Sequence, residues 1–239
     1  RHYSFQLRGL LTHSHGSWPI FVHPPKGCWG IGFPMESMSD RMSKGTLVMM
    51  HGMTGTSEKM ENLARSLTPE GWSTLCPQAK IGHPTRGGFA WWLFEDGVSK
   101  DESLSQMEES ISAILEILPD GPIIVGGFSQ GGAMASSLLE TSASNSIVGL
   151  ILIATKTVRP DELRGSLPFL KPRPVIWMHG ESDHLVSLDV GIEHIEIFEE
   201  SGWPVTRFQH KKGHMVNLGQ FEEMKEIISS IAENITDSQ

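Results

Sequence analysis

At 239 residues, 38% hydrophobic and 20% charged, the chain is long enough for one large α/β domain and too apolar for a disordered one. A formal net charge of −9 is repelled by nucleic acid and by anionic membrane, and no apolar run approaches the ~20 residues of a membrane-spanning helix. Two cysteines, Cys28 and Cys76, give no disulfide framework and fit a reducing compartment, hence a cytoplasmic expectation. The chain opens on Arg1 rather than Met, as a trimmed or mature form would, and a removed signal peptide would leave no trace.

Residues 3–11 and 18–23 are β-rich pieces around a Gly/Ser turn, which predicts a leading hairpin. His13, His15 and His23 lie here without carboxylate or thiol partners at ligand spacing, so they are expected as turn histidines rather than a metal site. Residues 24–45 are rich in Gly, Pro, Met and Ser and predict a long loop or flap. From residue 46 strands and helices alternate. Strands are expected at 46–50, 72–76, 123–127, 147–154, 174–179 and 205–210. Helices are expected at 57–67, 103–118, 132–141 and 187–201, with a last one through Phe221, Met224, Ile228 and Ile231. Thr56 or Ser57 is a candidate N-cap for the first helix, and Ser103 with Gln106 a candidate capping box for the second.

Six near-continuous apolar strands separated by amphipathic helices predict an α/β fold with a parallel, doubly wound sheet. The leading hairpin brings the expected count to eight strands in one domain, 1–239, with no large separate cap. Ligands bind beyond the carboxyl ends of such strands. The chemistry is therefore sought in the loops at 51–56, 79–101, 128–132, 155–173, 180–187 and 211–217.

One of those loops holds Gly127-Phe-Ser-Gln-Gly131, a G-x-S-x-G run between an apolar strand and a helix-compatible stretch. In that context the serine sits on a strained turn that lifts its hydroxyl off the sheet edge, and bulkier flanking residues would collide. A serine hydroxyl needs an adjacent base, itself oriented by an acid, and this motif orders them Ser, acid, His along the chain. Downstream of Ser129, the strand ending at His179-Gly180 presents Asp183, favoured over Glu181 and Asp189 as the acid; it could instead cap the next helix. The final strand runs into Lys211-Lys-Gly-His214, so His214 is favoured as base over His210, which lies within the strand, and over His184 and His194. Oxyanion donors are expected from the backbone N–H of Gln130 and, after the first parallel strand, of Met53. The apolar run Gly87–Phe94, with Trp91, Trp92 and Phe94, either lines an acyl pocket or packs in the core. The same alternatives hold for Leu163, Leu167 and Phe169.

Taken together, Met50-His-Gly, Pro77-Gln-Ala with Gly88–Trp92, Gly126-Gly-Phe-Ser-Gln-Gly-Gly-Ala133, His179-Gly-Glu-Ser-Asp-His-Leu-Val186 and Gly213-His214 resemble an α/β-hydrolase of the phospholipase/carboxylesterase group, which includes the acyl-protein thioesterases. The match spans about residues 46–236. It implies hydrolysis of carboxylic esters or long-chain thioesters by a Ser129–Asp183–His214 triad, with Met53 and Gln130 as oxyanion donors and no metal or cofactor. Substrate contacts are expected at Trp91, Trp92, Phe94 and Val186. Where the group usually carries a glycine–acid pair after His-Gly-x, this chain has Thr54-Gly55. Residues 1–45 have no clear counterpart in the compact thioesterases, and their Trp29, Phe33 and Met35 are candidates to cover the pocket.

The expectation is a serine carboxylesterase acting on a small-molecule ester, without nucleic acid or an integral membrane segment, its oligomeric state open to a homodimer. The competing readings are an acyl-protein thioesterase or lysophospholipase and, in another class, a small-ligand-binding protein on the same fold.

Overall fold

The computed structural model describes residues 43–94 and 97–236. In chain order it builds β1 (Thr46–Met50), α1 (Ser57–Leu67), β2 (Ser73–Leu75), β3 (Ile81–Gly82), β4 (Phe89–Ala90), α2 (Lys100–Leu115), β5 (Ile123–Phe128) and α3 (Gln130–Ser137). There follow β6 (Ile147–Ile153), α4 (Pro160–Ser166), β7 (Val175–Gly180), α5 (Leu188–Glu200), β8 (Val205–His210) and α6 (Phe221–Thr236). The six predicted strands form a six-stranded sheet in the order β2-β1-β5-β6-β7-β8, with every neighbouring pair parallel. β3 and β4 form a separate antiparallel ribbon. The expected hairpin (3–11 and 18–23), the three histidines within it and the loop residues 24–42 lie outside the described residues.

Strand alternation splits the buried side chains into two cores. Val48, Met50, Leu150, Leu152 and Trp177 face one, packed by α2, α3 and α5 through Met107, Ile111, Met134, Ile195 and Phe198. Leu47, Met49, Ile151, Ile153, Ile176 and Met178 face the other, packed by α1 and α6 through Met60, Ala64, Met224 and Ile228. Helices on both faces explain why the strands read as unbroken apolar runs. No helix among the described residues is long and apolar enough to cross a membrane.

The caps refine the sequence reading. Thr56 caps α1, its side chain accepting from Lys59 N–H at 3.2 Å. The expected capping box at Ser103 and Gln106 is not made: α2 begins three residues earlier, and Ser99 Oγ accepts from Glu102 N–H at 3.1 Å. Ser103 and Gln106 bind the preceding loop instead, Ser103 Oγ donating to Leu93 O and Gln106 Oε1 accepting from Leu93 N–H.

One buried group makes the fold sensitive to acid. His194 on α5 is 1% exposed and packs against Phe198. Burial pushes its imidazole down to about 3, with nearby His179 acting in the same direction. The unfolded chain takes up that proton near pH 6.5, so the stability of the neutral ring is fully present above that pH and is lost as pH falls toward the folded value, by about 1.4 kcal/mol per pH unit. Between pH 6.5 and 5 the wild type should lose about 2 kcal/mol more than His194→Gln does in urea unfolding. Parallel losses in the two proteins would remove His194 as the source.

Candidate active site

The Gly-x-Ser-x-Gly run makes a tight strand-to-helix turn because its two glycines touch. A Cβ on Gly127 would stand 2.3 Å from the Gly131 carbonyl carbon, and one on Gly131 would stand 2.1 Å from the Met50 carbonyl oxygen. Between them Ser129 adopts φ 54°, ψ −118°, a left-handed φ that a non-glycine residue holds only under constraint. The constraint comes from hydrogen bonds on both sides of the residue. Ser129 N–H donates to Ile153 O at 2.9 Å, and its carbonyl accepts from Gly132 N–H, Ala133 N–H and, at 2.6 Å, from Thr155 Oγ. Thr155 follows Ala154, itself at φ 48°. Nothing in the sequence marks a lone threonine after a strand, and its hold on the elbow emerges only from the structure.

Asp183 and His214 come together on the neighbouring strand exits. His214 Nδ1 lies 2.7 Å from Asp183 Oδ2. Asp183 Oδ1 accepts from the N–H groups of Leu185 and Val186, both at 2.9 Å. Burial pushes the Asp183 carboxyl up, but the Val186 N–H, the His214 ring and the Leu185 N–H together outweigh it and hold the group below its ordinary value. The acid therefore stays ionised while buried. Its Nδ1 so engaged, the His214 ring rests against Phe128, the residue before Ser129, with centroids 4.8 Å apart. Nε2 is the nitrogen left for proton transfer.

The competing residues lie elsewhere. His210 remains on β8, with Nδ1 accepting from Lys212 N–H. Glu181 is exposed and accepts from Gln209, Asp189 is exposed in the first turn of α5, His184 is exposed, and His194 is buried.

A cavity of about 510 Å³ opens beside the elbow, and Met53, Ser129 and Gln130 all line it. The Met53 N–H enters no turn or loop bond among the described residues. Gln130, as the first residue of α3, has no helical acceptor for its own N–H. Two backbone donors thus flank one serine. Thr54, where the group usually has a glycine, takes φ 65° and donates its N–H to Phe89 O, while Gly55 N–H returns to Gly52 O.

Trp92, Phe94 and Val186 line the cavity together with Val158 and Leu185; Arg86 and Lys156 add positive charge. Phe94 and Leu185 are 59% and 78% exposed, so part of the apolar wall faces solvent. Trp91 does not line the cavity. It is 2% exposed and packs in the core, held by hydrogen bonds to His51 O and Gln130 Oε1. Leu163 and Leu167 are likewise core residues, and Phe169 is 88% exposed away from the cavity lining.

The chain is similar to known serine hydrolases and esterases. A family model described as serine hydrolase (FSH1) matches residues 38–220. The chain is 29% identical over 204 residues to acyl-protein thioesterase 1 homolog 1 of Dictyostelium discoideum, covering 75% of this chain and 80% of that protein. Among solved structures, a Bacillus cereus carboxylesterase superposes with a TM-score of 0.62 at 22% identity, over 79% of this chain and 89% of its own. Zea mays acyl-protein thioesterase 2 superposes with a TM-score of 0.60 at 20% identity, over 79% and 94%. The architecture is that of an α/β-hydrolase.

Proposed function

The chain belongs to the FSH1 serine hydrolase family, and from that premise we propose that Ser129 is its nucleophile, His214 its base and Asp183 its acid, in the hydrolysis of carboxylic esters. The observation that carries this reading is the 2.7 Å bond between His214 Nδ1 and buried Asp183, on the loops beside a serine held at a positive φ. His214 Nε2 accepts the Ser129 proton as Oγ adds to the ester carbonyl. The oxyanion is met by the N–H groups of Met53 and Gln130 at the positive end of α3. His214 then protonates the departing alcohol, and a water molecule, deprotonated by the same nitrogen, releases the acid and restores Ser129. These steps draw on no metal or cofactor.

An acyl-thioester substrate is the second reading, supported by the names of the relatives and by the apolar wall of Trp92, Phe94, Val158, Leu185 and Val186. Both readings place the acyl chain against that wall. A reducing compartment and a cytoplasmic location accord with a chain of only two cysteines, of which Cys76 makes no disulfide among the described residues.

Initial rates on matched oxygen-ester and thioester series, acetyl through palmitoyl, test the proposal. Each buried methylene is worth about 0.8 kcal/mol, so four added methylenes in a fitting cavity exceed a hundredfold. Hexanoyl or longer chains should therefore beat acetyl by at least about tenfold in kcat/KM, once incomplete burial at the exposed Phe94 and Leu185 is allowed for. Preference between the oxygen and sulfur series at equal chain length decides the leaving group. An acetyl ester turned over fastest in both series would remove the acyl role of the apolar wall.

A further inference from the structure

Resting on the triad reading above, we infer that Trp91 is a positioning residue that ties together the two backbone segments supplying the oxyanion donors. The β1–β5 ladder runs only as far as the pair Met50 and Gly127. Met53 and Gln130 each lie three residues beyond that last pair, so the ladder does not fix the gap between their N–H groups. Gly131 packs directly on the Met50 carbonyl, which stops the segments from closing further but does not hold them together.

Trp91 makes that connection through hydrogen bonds in both directions. Its indole N–H donates to His51 O at 2.8 Å, on the Met53 side. Its backbone N–H donates to Gln130 Oε1 at 3.1 Å, on the Ser129 side. The Gln130 amide completes the clasp by donating to Trp92 O at 2.8 Å, and Ser110 Oγ anchors the whole from α2 by donating to Trp91 O at 2.6 Å. The Trp91 ring also lies over His51, centroids 5.0 Å apart. Burial pushes that imidazole below its ordinary value, and the ring bonds Gly52 O through Nδ1 and accepts from Ala79 N–H through Nε2. Every member of the chain from Ala79 to Gln130 is thus hydrogen-bonded. Trp92, one residue on, lines the cavity instead.

A donor shifted by about 1 Å costs on the order of 10² in rate, because the oxyanion exists only in the transition state and its neighbourhood. Deleting the Trp91 N–H should therefore lower kcat and leave ground-state binding alone. The cleanest change is β-(3-benzothienyl)alanine at position 91, which keeps the bicyclic shape and replaces N–H by sulfur; Trp91→Phe and Gln130→Met cut the same tie more coarsely. With the benzothienyl variant, kcat should fall roughly ten- to hundredfold at every acyl length, with KM within about threefold. An alkyl trifluoromethyl ketone, which adds to the serine as a tetrahedral oxyanion, should bind weaker by the same factor. Trp92→Phe serves as the contrast, changing KM and chain-length preference. Unchanged kcat and ketone affinity in the benzothienyl variant, or an effect that tracks acyl length as at Trp92, would overturn the inference. The triad reading fails separately, if turnover survives in Ser129→Ala.

Discussion

Ser129→Ala is expected to lower kcat by roughly 10⁴–10⁶ on every ester and thioester the protein hydrolyses, while its thermal midpoint stays within a few degrees of wild type. The size follows from what remains. Without Oγ there is no acyl-enzyme, and water must attack a carbonyl polarised only by the Met53 and Gln130 N–H groups. The stability expectation follows from what is unchanged. Alanine keeps the Cβ, so the strain at φ 54° is the same in both proteins, and the bonds that hold the turn run through the Ser129 backbone to Ile153, Gly132, Ala133 and Thr155. Ser129 Oγ caps nothing at the start of α3. A fluorophosphonate probe should label wild type at position 129 and leave the variant unmodified. Retention of more than about a hundredth of wild-type turnover by a folded Ser129→Ala protein would end the nucleophile assignment and favour a ligand-binding protein on this scaffold.

What the sequence revealed of this site, and what it concealed, divides by the range of the interaction. The placement of Ser129, Asp183 and His214 on one sheet edge is legible, because each follows a strand and the parallel topology brings strand exits to one edge. Local rules also locate the six strands of the main sheet to within about one residue of the observed ends, but not the short ribbon of β3 and β4. Long-range hydrogen bonds were not legible. The sequence points to Ser103 as the cap of α2, but the Leu93 carbonyl claims Ser103 and Ser99 caps the helix. Trp91 and Trp92 are both buried, and the residue pattern of a segment that short does not say which of them also lines the cavity. Partners decide it: His51 O and Gln130 Oε1, forty and thirty-nine positions away, draw Trp91 inward. The motif points only to the backbone N–H of Gln130, whereas its side chain also binds the aromatic segment at two points.

Asp183→Asn should lower kcat by about 10⁴ near neutral pH, through the tautomer of His214. The loop around position 183 dictates how the amide must sit. The N–H groups of Leu185 and Val186 both point at Oδ1, so the asparagine oxygen takes that place and its NH₂ is left facing His214 Nδ1. A donor there favours the ring form with Nδ1 bare and Nε2 protonated, which cannot accept the Ser129 proton. KM should move little, because Asp183 does not line the cavity. Ionisation of the wild-type acid gives a second check. Its folded value is depressed, so the stability contributed by the carboxylate is fully present above the unfolded value near pH 3.9 and is lost as pH falls through the lower folded value. At pH 5 the wild type therefore still works with an ionised Asp183. The part of its stability advantage over Asp183→Asn that comes from this charge should fade only below about pH 4, read by urea unfolding at pH 7, 5, 4 and 3. An asparagine variant with near wild-type kcat, or an advantage that already vanishes at pH 5, would show that Asp183 is a loop cap and not the residue that orients His214.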